Sequence, residues 1–249
     1  MSATLYDKPS HRVVVVLAAG LGARFQVEGF AIPKPLISFN GTTYLQHTAR
    51  LAREIAAEAL VGEVVVVCTA SVAAAARGTP GVDRVVEVDH VQPGPVASAL
   101  LVMGAVNPDA QVIFVDCDNY YPPSNRSWVQ ALPFRASFCL VANAPRVVSM
   151  EQFCNVLVDE TGHVRTMLEK SILAGSYAAT GVYGFSSARA FQEEAWGRVA
   201  RRRPGTEVPM SAVLAALGAT EPISAVLANV WLPIGTPEQL VEAARVNVV

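Results

Sequence analysis

The chain has 249 residues, enough for one large α/β domain or two small ones, and with 52% apolar and 16% charged residues it should bury a full core. A formal net charge of −2 excludes the basic excess by which electrostatic nucleic-acid binders neutralise phosphates. Cys68, Cys117, Cys139 and Cys154 form no Cys-x-x-Cys pair, and His11, His47, His90 and His163 lack metal spacing, so neither a disulfide framework nor a zinc site is expected.

In chain order, the apolar run at 12–17 reads as a first strand. The apolar run Val13–Ala19 is too short to span a bilayer and leads into glycine rather than a cleavage site, so the expected location is the cytoplasm. Further strands are expected near 63–68, 84–88, 111–115 and 136–142. Thr43-x-x-Gln46 reads as a capping box opening a helix to about Leu60, with Leu45, Thr48, Leu51 and Ile55 on one stripe. A second helix is expected over 97–103. Strands alternating with helices predict βαβ units around a mostly parallel sheet.

Beyond residue 150 the runs shorten to strands at 153–159, 164–169 and 178–186, the first two joined by a Glu160-Thr161-Gly162-His163 turn. Ser187 caps a helix reaching Arg203, and another covers 210–217. Thr236-Pro237-Glu238-Gln239 opens the last helix. The basic run 198–203 reads as solvated charge complementing a helix end.

Four stretches carry chemistry. After the first strand, Gly20 and Gly22 permit a tight loop whose N–H groups face an anion, Arg24 adds a planar cationic fork, and Lys34 stands between two prolines. Asp116 and Asp118, two apart where a buried strand ends, suit Mg²⁺, which takes one or two carboxylates plus phosphate oxygens; a solvated turn is the plainer reading of the same residues. Gln92 offers a donor and an acceptor to a nucleobase edge, and Gly94 lets a flat base approach. An ordinary β-to-α loop is the plainer reading there. Glu169-Lys170 is either a surface ion pair or a pair dividing acceptor hydroxyls from acceptor phosphate.

In order along nearly the whole chain, LAAGLGARF, PKPL, the Gln-Gly loop, VDCDNYY, VLVDETGHVRTMLEKS, SYAATGVYGF, Glu207 and WLPIGTPEQL resemble the nucleotidyltransferases that activate sugar 1-phosphates. The spacing of the first two is most similar to a branch found in capsule and surface-polysaccharide gene sets. The resemblance implies a Rossmann-like three-layer α/β/α nucleotidyltransferase fold with a mixed, mostly parallel central sheet. It also implies one domain over 1–249, with a nucleotide-binding half at 1–142 and an acceptor-binding half at 143–249.

The implied reaction is Mg²⁺-dependent transfer from an NTP to a sugar 1-phosphate or similar acceptor, giving NDP-sugar and pyrophosphate. By the same resemblance Arg24, Lys34 and Asp118 are catalytic, and Leu17, Ala19, Gly20, Gly22, Gln92 and Gly94 bind nucleotide. Glu169, Lys170, Thr180 and Gly181 bind acceptor, and Asp118 with Asp116 holds the metal. The implied partners are an NTP and a phosphorylated small molecule, with neither nucleic acid nor membrane, and homo-oligomer formation stays open. Many relatives carry a second metal aspartate where this chain has Pro233, which leaves Asp116 as the substitute. Cys154 replaces a glycine near the acceptor, which leaves hexose, heptose, polyol and choline phosphates open.

Three rivals use the same residues differently. A nicotinamide dehydrogenase needs a third glycine where Phe25 stands, and an acidic ribose ligand where the second strand ends in Cys68-Thr69. A glycosyltransferase using an NDP-sugar shares the Asp116-Cys117-Asp118 pattern but has no need of the Gly–Arg–Lys loop. A non-catalytic nucleotide binder would explain Pro233 but not the retention of Arg24, Lys34 and Asp118.

Overall fold

The computed structural model describes residues 11–89, 92–145 and 148–246; His90 lies outside them. The elements are β1 (His11–Ala18), α1 (Ala23–Val27), β2 (Ser38–Phe39), β3 (Thr42–Thr43), α2 (Tyr44–Ala56), β4 (Val61–Thr69), α3 (Ala70–Arg77), β5 (Arg84–Val88) and α4 (Pro95–Met103). There follow β6 (Gln111–Asp116), β7 (Asn119–Tyr120), β8 (Phe138–Ala142), β9 (Cys154–Val158), β10 (Val164–Glu169), β11 (Tyr177–Phe185), α5 (Ala188–Arg201), α6 (Met210–Leu217), β12 (Ser224–Leu227), β13 (Leu232–Pro233) and α7 (Pro237–Arg245).

The expected three-layer α/β fold with a mixed, mostly parallel central sheet is present. β5, β4, β1 and β6 run parallel, with Val14 beside both Val64 and Ile113. On the other side of β6, β11 enters antiparallel and carries β9, β10 and β8, and β12 pairs in parallel with β8. The Val-rich strands are apolar on both faces because each face is covered. Val14, Val16, Val64, Val66, Ile113 and Val115 pack with residues of α2 and α3, whereas Val13, Val15, Val65, Val67, Val112 and Phe114 pack with α4, α5 and α6. Phe114 meets the rings of Phe185 and Phe191 at 5.6 and 4.5 Å, so truncating it to alanine should cost about 3–5 kcal/mol.

Local signals explain most boundaries. The capping box forms as expected, Gln46 N–H donating to the Thr43 hydroxyl while the Gln46 amide oxygen accepts from Thr43 N–H. That helix stops at Ala56 rather than Leu60, because the chain reverses at once: a Cβ on Gly62 would come 2.1 Å from the Ala56 carbonyl oxygen. The helix after Ser187 ends at Arg201, two residues early, with Arg202 already extended. Thr236 caps α7 through Gln239 N–H, and Gly162 turns β9 into β10 at φ 83°. The four cysteines are buried and unbonded to one another.

β1 lies between β4 and β6, so the loops leaving β1 and β6 diverge at a topological switch point. Open α/β sheets place a ligand crevice at such a point, beyond the carboxyl ends of the strands.

Candidate active site

A cleft of about 460 Å³ opens at that switch point. It gathers three segments distant in sequence: the loop from Leu17 to Arg24 with Lys34, the strand end Asp116–Asp118, and Gln92 with Gly94. All the residues expected to handle nucleotide and metal therefore share one space.

The loop after β1 turns through Gly22, which caps α1 at φ 64°, where an L side chain is disfavoured. A Cβ there would also sit 2.8 Å from Lys34 Cβ, so Gly22 is what lets Lys34 close under the loop. Gly20 differs from expectation: its φ is not in the left-handed region, and a Cβ would meet no protein atom. The fold does not need Gly20; its missing side chain leaves open space at the cleft wall. Arg24 is exposed and forms no ion pair among the described residues.

Lys34 Nζ donates to Asp118 Oδ2 at 2.8 Å, with the two side chains 18% and 31% exposed. Burial opposes both charges, but their mutual attraction wins, holding the ammonium above and the carboxylate below its ordinary pKa. The other Asp118 oxygen, Oδ1, accepts from Asn119 Nδ2 at 3.2 Å, and Asn119 Oδ1 accepts from Trp231 Nε1 at 2.7 Å. Ile234 N–H donates to the Asp118 carbonyl, and a Cβ on Gly235 would lie 2.9 Å from Asp118 Oδ2. Nothing local in the sequence marks Gly235, which stands there only as the residue before the Thr236 helix cap.

Burial and the neighbouring charge of Asp118 push the Asp116 carboxyl up to about 8. Burial also pushes the Cys117 thiol up to about 12, which leaves it neutral and unsuited to nucleophilic attack. Gly181 stands behind the pair at φ 88°; a Cβ there would lie 3.0 Å from Asp116 Oδ2 and 2.5 Å from Asn119 Nδ2. Its missing side chain makes room for the Asp116 carboxyl.

Among the described residues no group of three or more His, Cys, Asp or Glu could hold a metal, and Pro233 supplies no ligand. Two carboxylates at a strand end, sharing a cleft with the loop at Gly20 and Gly22, are a donor set that suits a Mg²⁺ completing its shell with phosphate oxygens and water. The residues present fit that ion.

Gly94 has φ 94°, and a Cβ would come 2.9 Å from Glu207 Cβ, so the loop at Gly94 and residues 207–208 are in contact. Glu207 and Ser98 also line the cleft. Arg24 opens onto a second cavity of about 480 Å³ as well, lined by Lys170, Glu151, Gln152 and Glu238. Lys170 leaves β10 at φ 50° with its N–H on the Phe153 carbonyl.

The other expected acceptor residues are placed elsewhere. Glu169 accepts from the Ser211 hydroxyl of α6 and lines neither cavity. Thr180 is 1% exposed, its hydroxyl donating to the Leu140 carbonyl at 3.1 Å while its own carbonyl accepts from Tyr121. It is a strand-locking residue.

The model of the MobA-like NTP transferase domain matches residues 14–157, more than half the chain. No curated protein matches it. Its structure is similar to that of the inositol-1-phosphate CTP transferase from T. maritima, at 19% identity and TM-score 0.73, covering 97% of this chain and 99% of that one. It is also similar to the nucleoside-diphosphate-sugar pyrophosphorylase from Vibrio cholerae RC9, at 15% identity and TM-score 0.71, covering 94% and 99%.

Proposed function

From the premise that this chain belongs to the family of MobA-like NTP transferase domains and is an enzyme of the nucleotidyltransferase type, we propose that it activates a phosphorylated acceptor. An NTP and a sugar 1-phosphate, or a polyol or choline phosphate, would give the NDP-linked product and pyrophosphate. The observation that carries this reading is the convergence of the Gly22–Arg24 loop, Lys34, Asp116, Asp118 and Gln92 on one cleft. We read residues 1–249 as one nucleotidyltransferase domain, with 1–142 serving the nucleotide and 143–249 the acceptor. A surface-polysaccharide role and a cytoplasmic location belong to the same proposal; no helix among the described residues is long and apolar enough to cross a membrane.

The acceptor's phosphate oxygen attacks the α-phosphorus, the bond from that phosphorus to the bridging oxygen breaks, and pyrophosphate leaves with the electron pair. The nucleophile is already an anion, so no general base is required. The difficulty is electrostatic, since two unit charges near 4 Å repel by about 4 kcal/mol at an effective dielectric of 20. That Arg24 lines both cavities supports a role for it in meeting phosphate from both substrates. Lys34, which donates to Asp118 in the free protein, would hold charge at the α-phosphate. Asp116 and Asp118 would hold Mg²⁺, which supplies charge neutralisation on the phosphate oxygens when bound. Gln92 and Gly94 seat the base, and Lys170 binds the acceptor phosphate. The experiment is a pyrophosphate-release screen of four NTPs and dTTP, with Mg²⁺, against hexose, heptose, inositol and choline phosphates. Release that requires one NTP and one acceptor supports the reading, whereas release from no pair refutes it.

A further inference from the structure

The basic run at the end of α5 does more than a helix terminus requires. Arg198, Arg201 and Arg202 line a groove of about 340 Å³ whose opposite wall is Val208, Pro209 and Ala212. Arg198 is paired with Glu194 at 2.7 Å, but Arg201 and Arg202 form no ion pair among the described residues, and Arg202 Nε is buried without a partner. A Cβ on Gly197 would lie 2.8 Å from Arg201 Nη2. A glycine inside a helix costs about 1 kcal/mol relative to alanine, and this one makes room for a guanidinium.

The wall facing the arginines is the start of α6. That helix is preceded by Pro209, has no side-chain cap and carries no acidic residue in its first turn. Its amino end adds partial positive charge to the groove. Glu207 is the single carboxylate of the lining, and it also lines the nucleotide cleft.

We propose that this groove is a second anion site, taking a diphosphate or longer polyphosphate group, and that its occupancy is felt at the base loop through residues 206–208. The charges set the ligand class. Two unpaired guanidiniums, a third shared with Glu194 and a helix amino end match an anion with several negative oxygens, which a monophosphate only partly provides. An anion held there repels the Glu207 carboxylate toward the cleft, where the backbone at 207–208 abuts Gly94. Inorganic pyrophosphate and the diphosphate of a nucleotide share this chemistry. The coupling rests on the function proposed for the cleft; the binding does not.

Calorimetric titration separates the two sites without turnover. The protein used is Lys34→Ala, whose cleft grips phosphate weakly, with and without Arg201→Gln plus Arg202→Gln; pyrophosphate and a nucleoside diphosphate are titrated in separate arms. Affinity about tenfold or more weaker without the two arginines supports the site, and the tighter arm identifies the source. Equal affinity in both proteins, or displacement by sulfate at equal ionic strength, means an adventitious ion only and overturns it. Ala212→Glu, a favourable residue in a helix first turn, guards against misfolding: it should abolish the same binding while leaving the fold intact, and retained binding also overturns the proposal. In the otherwise native protein, Arg201→Gln plus Arg202→Gln should leave basal turnover unchanged and erase any effect of pyrophosphate on the KM for NTP beyond simple competition. Persistence of that effect overturns the coupling.

Discussion

Lys34 and Asp118 are 84 residues apart in sequence, yet Nζ sits 2.8 Å from Oδ2 at the floor of one cleft. One arrives on a short turn after α1 and the other on the loop after β6, and the absent Cβ of Gly22 permits the approach. Each charge holds its partner in the free protein, and in the proposed reaction each would also serve the triphosphate. Lys34→Ala and Asp118→Ala should each lower turnover at least about a hundredfold, equivalent to about 2.7 kcal/mol of transition-state stabilisation. Each should also lose stability, because the surviving charge is left without its partner. Lys34→Met combined with Asp118→Asn should recover stability in urea unfolding without recovering activity. Near-normal kcat in either single variant would remove the pair from the mechanism.

Gly20 and Gly22 look equivalent in the sequence and are opposite in the fold. Alanine at Gly22 meets Lys34 Cβ at 2.8 Å with φ at 64°, so it should lose about 1–2 kcal/mol of stability from backbone conformation alone, and activity with it. Alanine at Gly20 touches no protein atom. It should unfold like the native chain and raise the KM for NTP, because its methyl enters space left for the ligand. Equal effects on stability would contradict this division.

The Asp118 carboxylate is oriented by a relay in which Trp231 Nε1 donates to Asn119 Oδ1 and Asn119 Nδ2 donates to Asp118 Oδ1. Groups that orient a ligand's donor typically matter ten- to a hundredfold. Asn119→Ala should therefore reduce metal-dependent turnover by about that factor, seen mainly as a higher metal requirement, while the KM for acceptor stays constant. Trp231→Phe keeps the ring contact with Phe153 and loses only the donor, so it should show the smaller share. A change confined to acceptor KM would place Asn119 elsewhere in the cycle.

The parts legible in the sequence were those with a local cause. Val13 to Val16 read as a strand because every side chain is apolar, and Thr43, Ser187 and Thr236 announce helices because their hydroxyls bond three residues ahead. Helix α3 carries little local signal, because its alanines give no apolar stripe and it follows β4 without a break. Arg12, a charged residue at the start of the strand, is fully buried, donating to Gln111 and to the Ile55 carbonyl. Those partners are 99 and 43 residues away, so no local pattern reports them. The same reason explains the site. The phosphate loop and the aspartates were visible as motifs, whereas their direct pairing was not. Nothing near Thr180 in sequence shows that Leu140 takes its hydroxyl.

His47 ties α2 to the turn before it and supplies a pH signature for stability distinct from catalysis. Its Nε2 donates to the Phe39 carbonyl at 2.7 Å, and its ring packs edge-on against Tyr120 at 4.8 Å. Burial lowers its pKa below 6.5, Arg50 and Arg126 adding to the effect while the Phe39 bond opposes it. Protonation is then harder in the folded protein than in the unfolded chain, so below pH 6.5 the unfolded chain binds more protons. Stability should be fully present above pH 6.5 and fall as pH drops from there toward the folded pKa, by at most about 1.4 kcal/mol per pH unit from this residue. His47→Gln keeps a donor for Phe39 and has no titration, so the difference in urea midpoint between native and variant should shrink as pH goes from 7.5 to 5. A difference independent of pH over that range would show that His47 is not the group responsible.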